Sequence, residues 1–289
     1  MKSILPDGLS RRAVADAVRR ALREDIGAGD LTTRRVIPAK CSGVGIIRAK
    51  ERLVVAGLPV ARLVFRQVDP RVTFKLLRQE GSRVPRGAGV ARVEGPAGSI
   101  LTAERTALNF LQHLSGIATY TSGCVAKAGR DCAVRDTRKT HPGLRDLEKY
   151  AVRVGGGENH RFRLDDGILI KHNHWRLAGG VGASVGRARR ARGRGRSLPI
   201  QVEVSTLSDL REALDAGADS VLLDNLSPLE IRRALELARG QIQVEVSGGI
   251  TQACLRRFVA LRPDAVSLGA LTHSAPWVDL SLRLEAAKR

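Results

Sequence analysis

The segment IQVEVSTLSDLREALDAGADSVLLDNLSPLEIRRALELARGQIQVEVSGGITQACLRRFVALRPDAVSLGA, Ile200 to Ala270, alternates short apolar runs with helix-like stretches. The runs are Ile200 to Val204, Val221 to Leu223, Ile242 to Val246 and Ala265 to Leu268. Between them, Leu207 to Ala216, Pro228 to Ala238 and Gln252 to Leu261 carry apolar residues at helical spacing. Strand and helix in alternation predict a parallel sheet with right-handed crossovers. Two further runs lie upstream, Cys132 to Val134 and Ile168 to Ile170. Units this closely spaced favour a closed or nearly closed α/β barrel over an open sheet.

The N-terminal part reads differently. Leu9 to Asp25 has an amphipathic helical pattern with Ser10 as its N-cap, and the stretch from Ile26 to Thr33 breaks it. Strand-like runs follow at Val44 to Ala49, Leu53 to Ala56, Val72 to Leu77 and Val90 to Val93, with a helix over Leu58 to Gln67. Pro85-Arg86-Gly87 and Gly95-Pro96 mark turns. A long helix is expected from Thr102, with Glu104 in its first turn, and a domain boundary near Ser115-Gly116. This is a small α+β layer of its own.

In a parallel α/β barrel, functional residues gather where strands end. Here Arg138-Lys139 follow the first run, Lys171 ends the second, Glu203 lies in the third, and Asp224-Asn225 end the fourth. Ser247-Gly248-Gly249 and Gly269 close the last two, and glycine lets backbone N–H groups approach a phosphate. His160-Arg161 follow a triple glycine, Gly155 to Gly157, which favours a ligand-contacting role for both. So many cations at strand ends suggest a pocket for a small, multiply negative molecule, since arginine offers a planar fork for carboxylate or phosphate and lysine a point charge. Glu203 and Asp224 on separate strands suit either a Mg²⁺ shared with substrate oxygens or, more simply, an ion pair and a helix cap.

Bulk composition narrows the class. The chain has 289 residues, 43% hydrophobic and only 3% aromatic, so its core rests on Leu, Val, Ile and Ala. No apolar run approaches the roughly 20 residues of a membrane span, and MKSILPDGLSRRAV lacks a secretory apolar region, so a cytoplasmic protein is expected. Cys41, Cys124, Cys132 and Cys254 form no CxxC pair, which argues against a zinc knuckle or redox motif. The formal net charge of +20 calls for an anionic partner. The densest basic run, Gly186 to Arg196, has no aromatic residue on which a base stacks and reads as a helix end entering a solvated loop. Phosphate-loop, dinucleotide and nucleophile-elbow motifs are absent. His172-Asn173-His174 spells a nuclease motif, but three adjacent residues do not build that site.

Several blocks stand out: DTRKT (136–140), PGLR (142–145), EKYAVRVGGGENHR (148–161), LIKHNH (169–174), GADSVLLDN (217–225), VEVSGGIT (244–251) and SLGALTHSAPWVDLSLRL (267–284). With EDIGAGDLTT (24–33) and ERTALNFLQHLSGIAT (104–119) they span nearly the whole chain, and together they resemble the quinolinate phosphoribosyltransferase family.

The resemblance implies an N-terminal α/β sandwich domain (1–115), joined by the C-terminal tail (275–289), plus an incomplete, TIM-like α/β barrel (116–274). It implies transfer of phosphoribosyl from 5-phosphoribosyl 1-diphosphate to quinolinate with decarboxylation, in a homodimer with a shared active site. Arg105, reaching across the dimer, Arg138, His160, Arg161 and Lys171 are then expected to hold quinolinate. Lys139, Glu203 and Asp224 serve phosphoribosyl diphosphate and its Mg²⁺, and Ser247, Gly248, Gly249 and Gly269 cradle the 5-phosphate. The family usually has Asp where this chain has His172, and we expect that exchange to be tolerated. The alternatives are a relative acting on another pyridine or aromatic acid, the family's molybdenum-associated branch, and a basic nucleic-acid-binding protein.

Overall fold

The computed structural model describes residues 9–191 and 198–287. The first eight residues, part of the segment read for a leader, and Arg192 to Arg196 of the basic run lie outside the described residues. In chain order the elements are α1 (Arg11–Ile26), α2 (Leu31–Val36), β1 (Ser42–Ala49), β2 (Leu53–Val54), α3 (Leu58–Val68), β3 (Thr73–Leu76), β4 (Arg83–Val84), β5 (Gly89–Pro96) and α4 (Ala97–Ala128). There follow β6 (Ala133–Arg135), α5 (Arg145–Val154), β7 (Ile168–Ile170), α6 (His172–Leu177), α7 (Val181–Ala191), β8 (Ile200–Val204) and α8 (Leu207–Asp215). The chain ends with β9 (Ser220–Asp224), α9 (Pro228–Ala238), β10 (Gln243–Ser247), α10 (Leu255–Val259), β11 (Ala265–Ser267), α11 (Ala270–His273) and β12 (Leu280–Ala286).

These elements form two compact units. One comprises Met1–Ser122, Thr140–Gly156 and Ser274–Arg289, the other Gly123–Lys139 and Gly157–His273. The first holds an antiparallel sheet in the order β12-β1-β5-β3. β12 pairs with β1 from Gly43↔Ala286 to Ala49↔Leu280, so the C-terminal tail completes the N-terminal sheet. Ser10 caps α1 by accepting the Ala13 N–H at 3.3 Å, and Val14, Ala17, Val18 and Leu22 form its buried stripe. The expected break after α1 is shorter than the sequence suggests, because Asp30 accepts the Thr33 N–H at 2.9 Å and caps the short helix α2.

The long helix α4 begins at Ala97, directly after β5, so Glu104 lies in its second turn rather than its first. The expected boundary at Ser115-Gly116 falls inside this helix. Gly116 marks a close approach instead: a Cβ there would sit 2.2 Å from the carbonyl oxygen of Pro276. Helix α5, which the expected boundaries place in the barrel, belongs to the first unit. It buries Leu147, Tyr150, Ala151 and Val152, and at its end Gly155 leaves no room for a Cβ against the Ala118 carbonyl, 2.5 Å away.

The second unit is a parallel sheet of six strands in the order β6-β11-β10-β9-β8-β7. No ladder joins β7 back to β6 among the described residues, so the barrel is incomplete. The helices α6 to α10 fill the crossovers between successive strands. Val202, Val204, Val221, Leu223, Val246 and Val266 are fully buried, as expected of parallel strands covered on both faces. The described part of the basic run closes α7, a helix end where cations are favoured.

Candidate active site

At the C-terminal strand ends of the second unit lies a cavity of about 500 Å³. Arg138, Lys139, Arg161 and Lys171 line it, with Glu203 and Asp224 among them. His160, Ser247, Gly248 and Gly249 complete the residues that the sequence pointed to. Two expected residues are not part of this lining. Gly269 sits behind Lys139, and Arg105 is exposed on α4 in the first unit.

Neighbouring residues hold Lys171, Glu203, Asp224 and Arg161 by their side chains or backbone, and Lys139 by its backbone. Strand β7 delivers Lys171, whose Nζ lies 3.0 Å from Glu203 Oε2. The His172 N–H faces Glu203 Oε1 at 3.5 Å, and the Trp175 indole donates to the Glu203 carbonyl at 3.2 Å. Residue 172 thus approaches Glu203 through its backbone, while its ring packs edge-on against Trp175 at 4.6 Å between centroids. Lys139 is fixed at both ends of its peptide. Its N–H donates to Thr137 Oγ1 at 3.0 Å, and its carbonyl accepts from Thr272 Oγ1 at 2.7 Å. A Cβ on Gly269 would come within 3.0 Å of the Lys139 Cδ, so that glycine makes space for the lysine stem.

Burial pushes the Asp224 carboxyl above its ordinary range, and the nearby charge of Glu203 pushes the same way; Asn225, Lys171 and Lys139 pull it back. Arg161 is depressed from its usual value by burial and by the like charge of Arg138, against Asp166. Its guanidinium donates to the Gly167 carbonyl at 2.8 Å. Two acids and four cations thus crowd one cavity, and their charges shift one another.

His160 reaches the lining with both ring nitrogens engaged inside the protein. Nδ1 accepts the Arg161 N–H at 2.8 Å, which puts the ring proton on Nε2, 2.8 Å from Gln201 Oε1. Gln201 donates onward to Glu245 at 3.1 Å, and Glu245 also receives Arg135 at 3.0 Å and the Ser267 hydroxyl. The backbone N–H of His160 donates to the fully buried Asp136 at 2.9 Å. This chain of bonds orients the segment that carries Arg161.

Sequence reasoning left Asn225 without a role. Its φ is 57°, rare for a residue other than glycine, its N–H donates to the Ser247 carbonyl at 3.1 Å, and its side chain donates to Asp224 at 2.9 Å. Gly248 has φ 104°, and a Cβ there would lie 2.3 Å from Asn225 Oδ1. Gly249 also takes a left-handed φ of 59°. Successive conformations of this kind on a strand end suit a backbone that wraps an anion. Gln201 was missed as well, although a polar residue inside the apolar run of β8 is the signal that finds it.

The chain matches the family model for the quinolinate phosphoribosyl transferase N-terminal domain over residues 30–115 and the C-terminal domain over residues 117–283. It is 41% identical over 275 residues to a probable nicotinate-nucleotide pyrophosphorylase [carboxylating] of Methanocaldococcus jannaschii, covering 92% of this chain and 95% of that one. A Bacillus subtilis protein of the same description is 42% identical over 260 residues, covering 90% and 89%. Among solved structures, NadC from Streptococcus pyogenes superimposes with a TM-score of 0.92 at 41% identity, over 98% of this chain and 100% of that one. The nicotinate-nucleotide pyrophosphorylase of Francisella tularensis gives 0.92 at 37% identity, over 99% and 100%.

Proposed function

The chain belongs to the quinolinate phosphoribosyl transferase family, and from that premise we propose that it transfers the phosphoribosyl group of 5-phosphoribosyl 1-diphosphate to quinolinate, releasing CO₂ and diphosphate and forming nicotinate mononucleotide. It is a phosphoribosyltransferase serving the de novo route to NAD. One observation carries the reading: Arg138, Lys139, Arg161 and Lys171 surround a single cavity that also holds Glu203 and Asp224.

Quinolinate brings two carboxylates, and its partner brings a phosphate and a diphosphate. Two such anions repel, so bringing them together requires concentrated positive charge. One favourable pair at about 4 Å is worth roughly 4 kcal/mol at an effective dielectric of 20, so several pairs offset the desolvation of both substrates. Arg138 and Arg161 hold the pyridine carboxylates through planar forks, and Lys171 adds a point charge. His160, its ring nitrogens already committed, acts by aiming Arg161 rather than by gripping the ligand. Ser247, Gly248 and Gly249 take the 5-phosphate, and Lys139, its stem accommodated by Gly269, reaches the diphosphate.

Glu203 and Asp224 fit a magnesium ion. They are two carboxylates from neighbouring strands; burial pushes the Asp224 carboxyl up first, and the charge of Glu203 adds a repulsion that a cation would relieve. They would hold it largely through water and substrate oxygens, and when bound it supplies neutralisation of the leaving diphosphate. Positive charge that develops on the ribose as the ring nitrogen attacks is stabilised by Glu203 and Asp224. The pyridinium nitrogen so formed stabilises the carbanion left on the adjacent ring carbon when its carboxylate departs as CO₂, and that carbon takes a proton from water to give nicotinate mononucleotide.

On this reading the enzyme is a cytoplasmic homodimer in which Arg105, exposed on α4, serves the cavity of a second copy. Among the described residues no helix is long and apolar enough to cross a membrane. Sedimentation and mixed-mutant complementation, pairing an Arg105→Ala chain with a Lys171→Ala chain, test the assembly: recovered activity supports it, and none in a mixed dimer removes it. The activity itself is tested by incubating the protein with Mg²⁺, phosphoribosyl diphosphate and quinolinate, with nicotinate in parallel. Quinolinate consumption with CO₂ release supports the assignment; turnover of nicotinate alone overturns it.

A further inference from the structure

A second group of chemistry-bearing residues lies in the first unit, outside the proposed catalytic machinery. His113 comes from α4, Glu148 from α5, and His141 from the segment before α5. One ligand atom from each lies within 4.8 Å of the others. His113 Nε2 is 2.9 Å and His141 Nδ1 is 2.6 Å from the same carboxylate oxygen, Glu148 Oε1. Glu148 is fully buried and His113 is 6% exposed, while half of the His141 side chain remains accessible. The two histidines border a cavity of about 330 Å³ that Trp277 also lines, its ring 5.5 Å from that of His113.

Hydrogen bonds alone leave this cluster unbalanced. They require a proton on the inward nitrogen of both rings, aimed at one oxygen. They also leave His113 Nδ1 buried and without a partner. With a cation between the three residues, the His113 proton moves to Nδ1 and the Nε2 lone pair is free to face the ion. The Nε2 lone pair, the His141 Nδ1 lone pair and the Glu148 carboxylate then share one charge. We propose that His113, His141 and Glu148 form a Zn²⁺ site in the first unit. Two imidazoles and one carboxylate, with a fourth position open to water, make a known zinc ligand set and one poorly suited to Mg²⁺. Zinc–ligand bonds of about 2.0–2.1 Å place tetrahedral ligand atoms roughly 3.3 Å apart, so the two nitrogen–carboxylate separations need to open by about 0.4 and 0.7 Å. The accessible His141 provides that movement. The ion ties α4, α5 and the segment between β6 and α5 together. This site is independent of the phosphoribosyl-transfer reading, since Glu203 and Asp224 offer only oxygen ligands.

The test uses full-length protein stripped with a chelator, confirmed as folded by circular dichroism, and titrated with Co²⁺ in excess Mg²⁺. We expect one Co²⁺ per chain with a visible tetrahedral absorption band, displaced by Zn²⁺, and a higher Tm with Zn²⁺ than without. His141→Ala, at the accessible position, should weaken Co²⁺ binding by at least about 100-fold, since even residues behind metal ligands contribute 10- to 100-fold. Glu203→Gln should leave the band intact. No band from the folded wild type, equal affinity in His141→Ala, or loss of the band in Glu203→Gln would each overturn the proposal.

Discussion

Lys171 Nζ sits 3.0 Å from Glu203 Oε2, so the lysine at the end of β7 is tied to the acid in β8. Both side chains face the same cavity. In the proposed function, the pair positions a cation for quinolinate beside an acid for Mg²⁺ and sugar.

Because that lysine is half exposed, the pair contributes little to folding; exposed pairs are worth about 0–1 kcal/mol. Lys171→Ala is therefore expected to leave the Tm nearly unchanged while lowering kcat/KM for quinolinate by about 100-fold, a loss of roughly 2.7 kcal/mol of transition-state stabilisation. Steady-state kinetics beside a thermal melt check both halves. A large fall in Tm would show that the pair is structural.

Asp224 gives the opposite trade. Its carboxyl is raised above the ordinary 3.8, so the folded protein holds this proton more tightly than the unfolded chain. The associated stability is complete below the ordinary carboxylate value and is lost as pH rises through the raised one. Asp224→Asn should make the metal-free protein more stable near neutral pH and flatten this part of its stability–pH curve, while activity falls by at least about 100-fold, or 2.7 kcal/mol. Urea denaturation across pH with parallel assays provides the check. Lower neutral-pH stability in the variant would contradict the argument.

Gly248 carries a positional demand that no other residue meets. At φ 104°, with a Cβ placed 2.3 Å from Asn225 Oδ1, alanine must displace the asparagine that holds Asp224. Gly248→Ala should cost about 1–3 kcal/mol of stability and raise KM for phosphoribosyl diphosphate more than KM for quinolinate. Equal effects on the two substrates would remove the phosphate role.

Gln201 links His160 to the buried Glu245. Gln201→Leu removes the Gln201 acceptor from the His160 ring N–H and one donor from Glu245, at about 1–3 kcal/mol of stability. KM for quinolinate should rise because Arg161 loses its orientation. Chemical denaturation and kinetics measure the two effects, and unchanged quinolinate affinity would disconnect His160 from Arg161.

The barrel was legible in the sequence because its strands are short, apolar and regularly spaced. Their ends carry residues such as Lys171 and Asp224 that make no sense as core. From strand ends to a shared cavity is one step in a parallel barrel, and Arg138, Lys139, Arg161 and Lys171 meet there. What resisted reading depends on contacts between distant residues. Helix α5 looks like part of the barrel in chain order, yet its buried face packs with the first unit. The resemblance joins the C-terminal tail to the N-terminal domain, but only the pairing of β12 with β1 gives its register. The left-handed Asn225 has no local signature beyond the Asp-Asn pair, because its conformation answers to Gly248 and Ser247. The union of His113 with Glu148 spans 35 residues and leaves no pattern in the chain.

The central claim is that one cationic cavity joins quinolinate to a phosphoribosyl donor. The most direct measurement follows quinolinate labelled in the carboxyl group beside its ring nitrogen, with phosphoribosyl diphosphate and Mg²⁺. The account predicts one labelled CO₂ released for each nicotinate mononucleotide formed, in wild type, and neither product from Lys139→Ala that remains folded. Nucleotide formed from nicotinate without CO₂, or full turnover by Lys139→Ala, would contradict it.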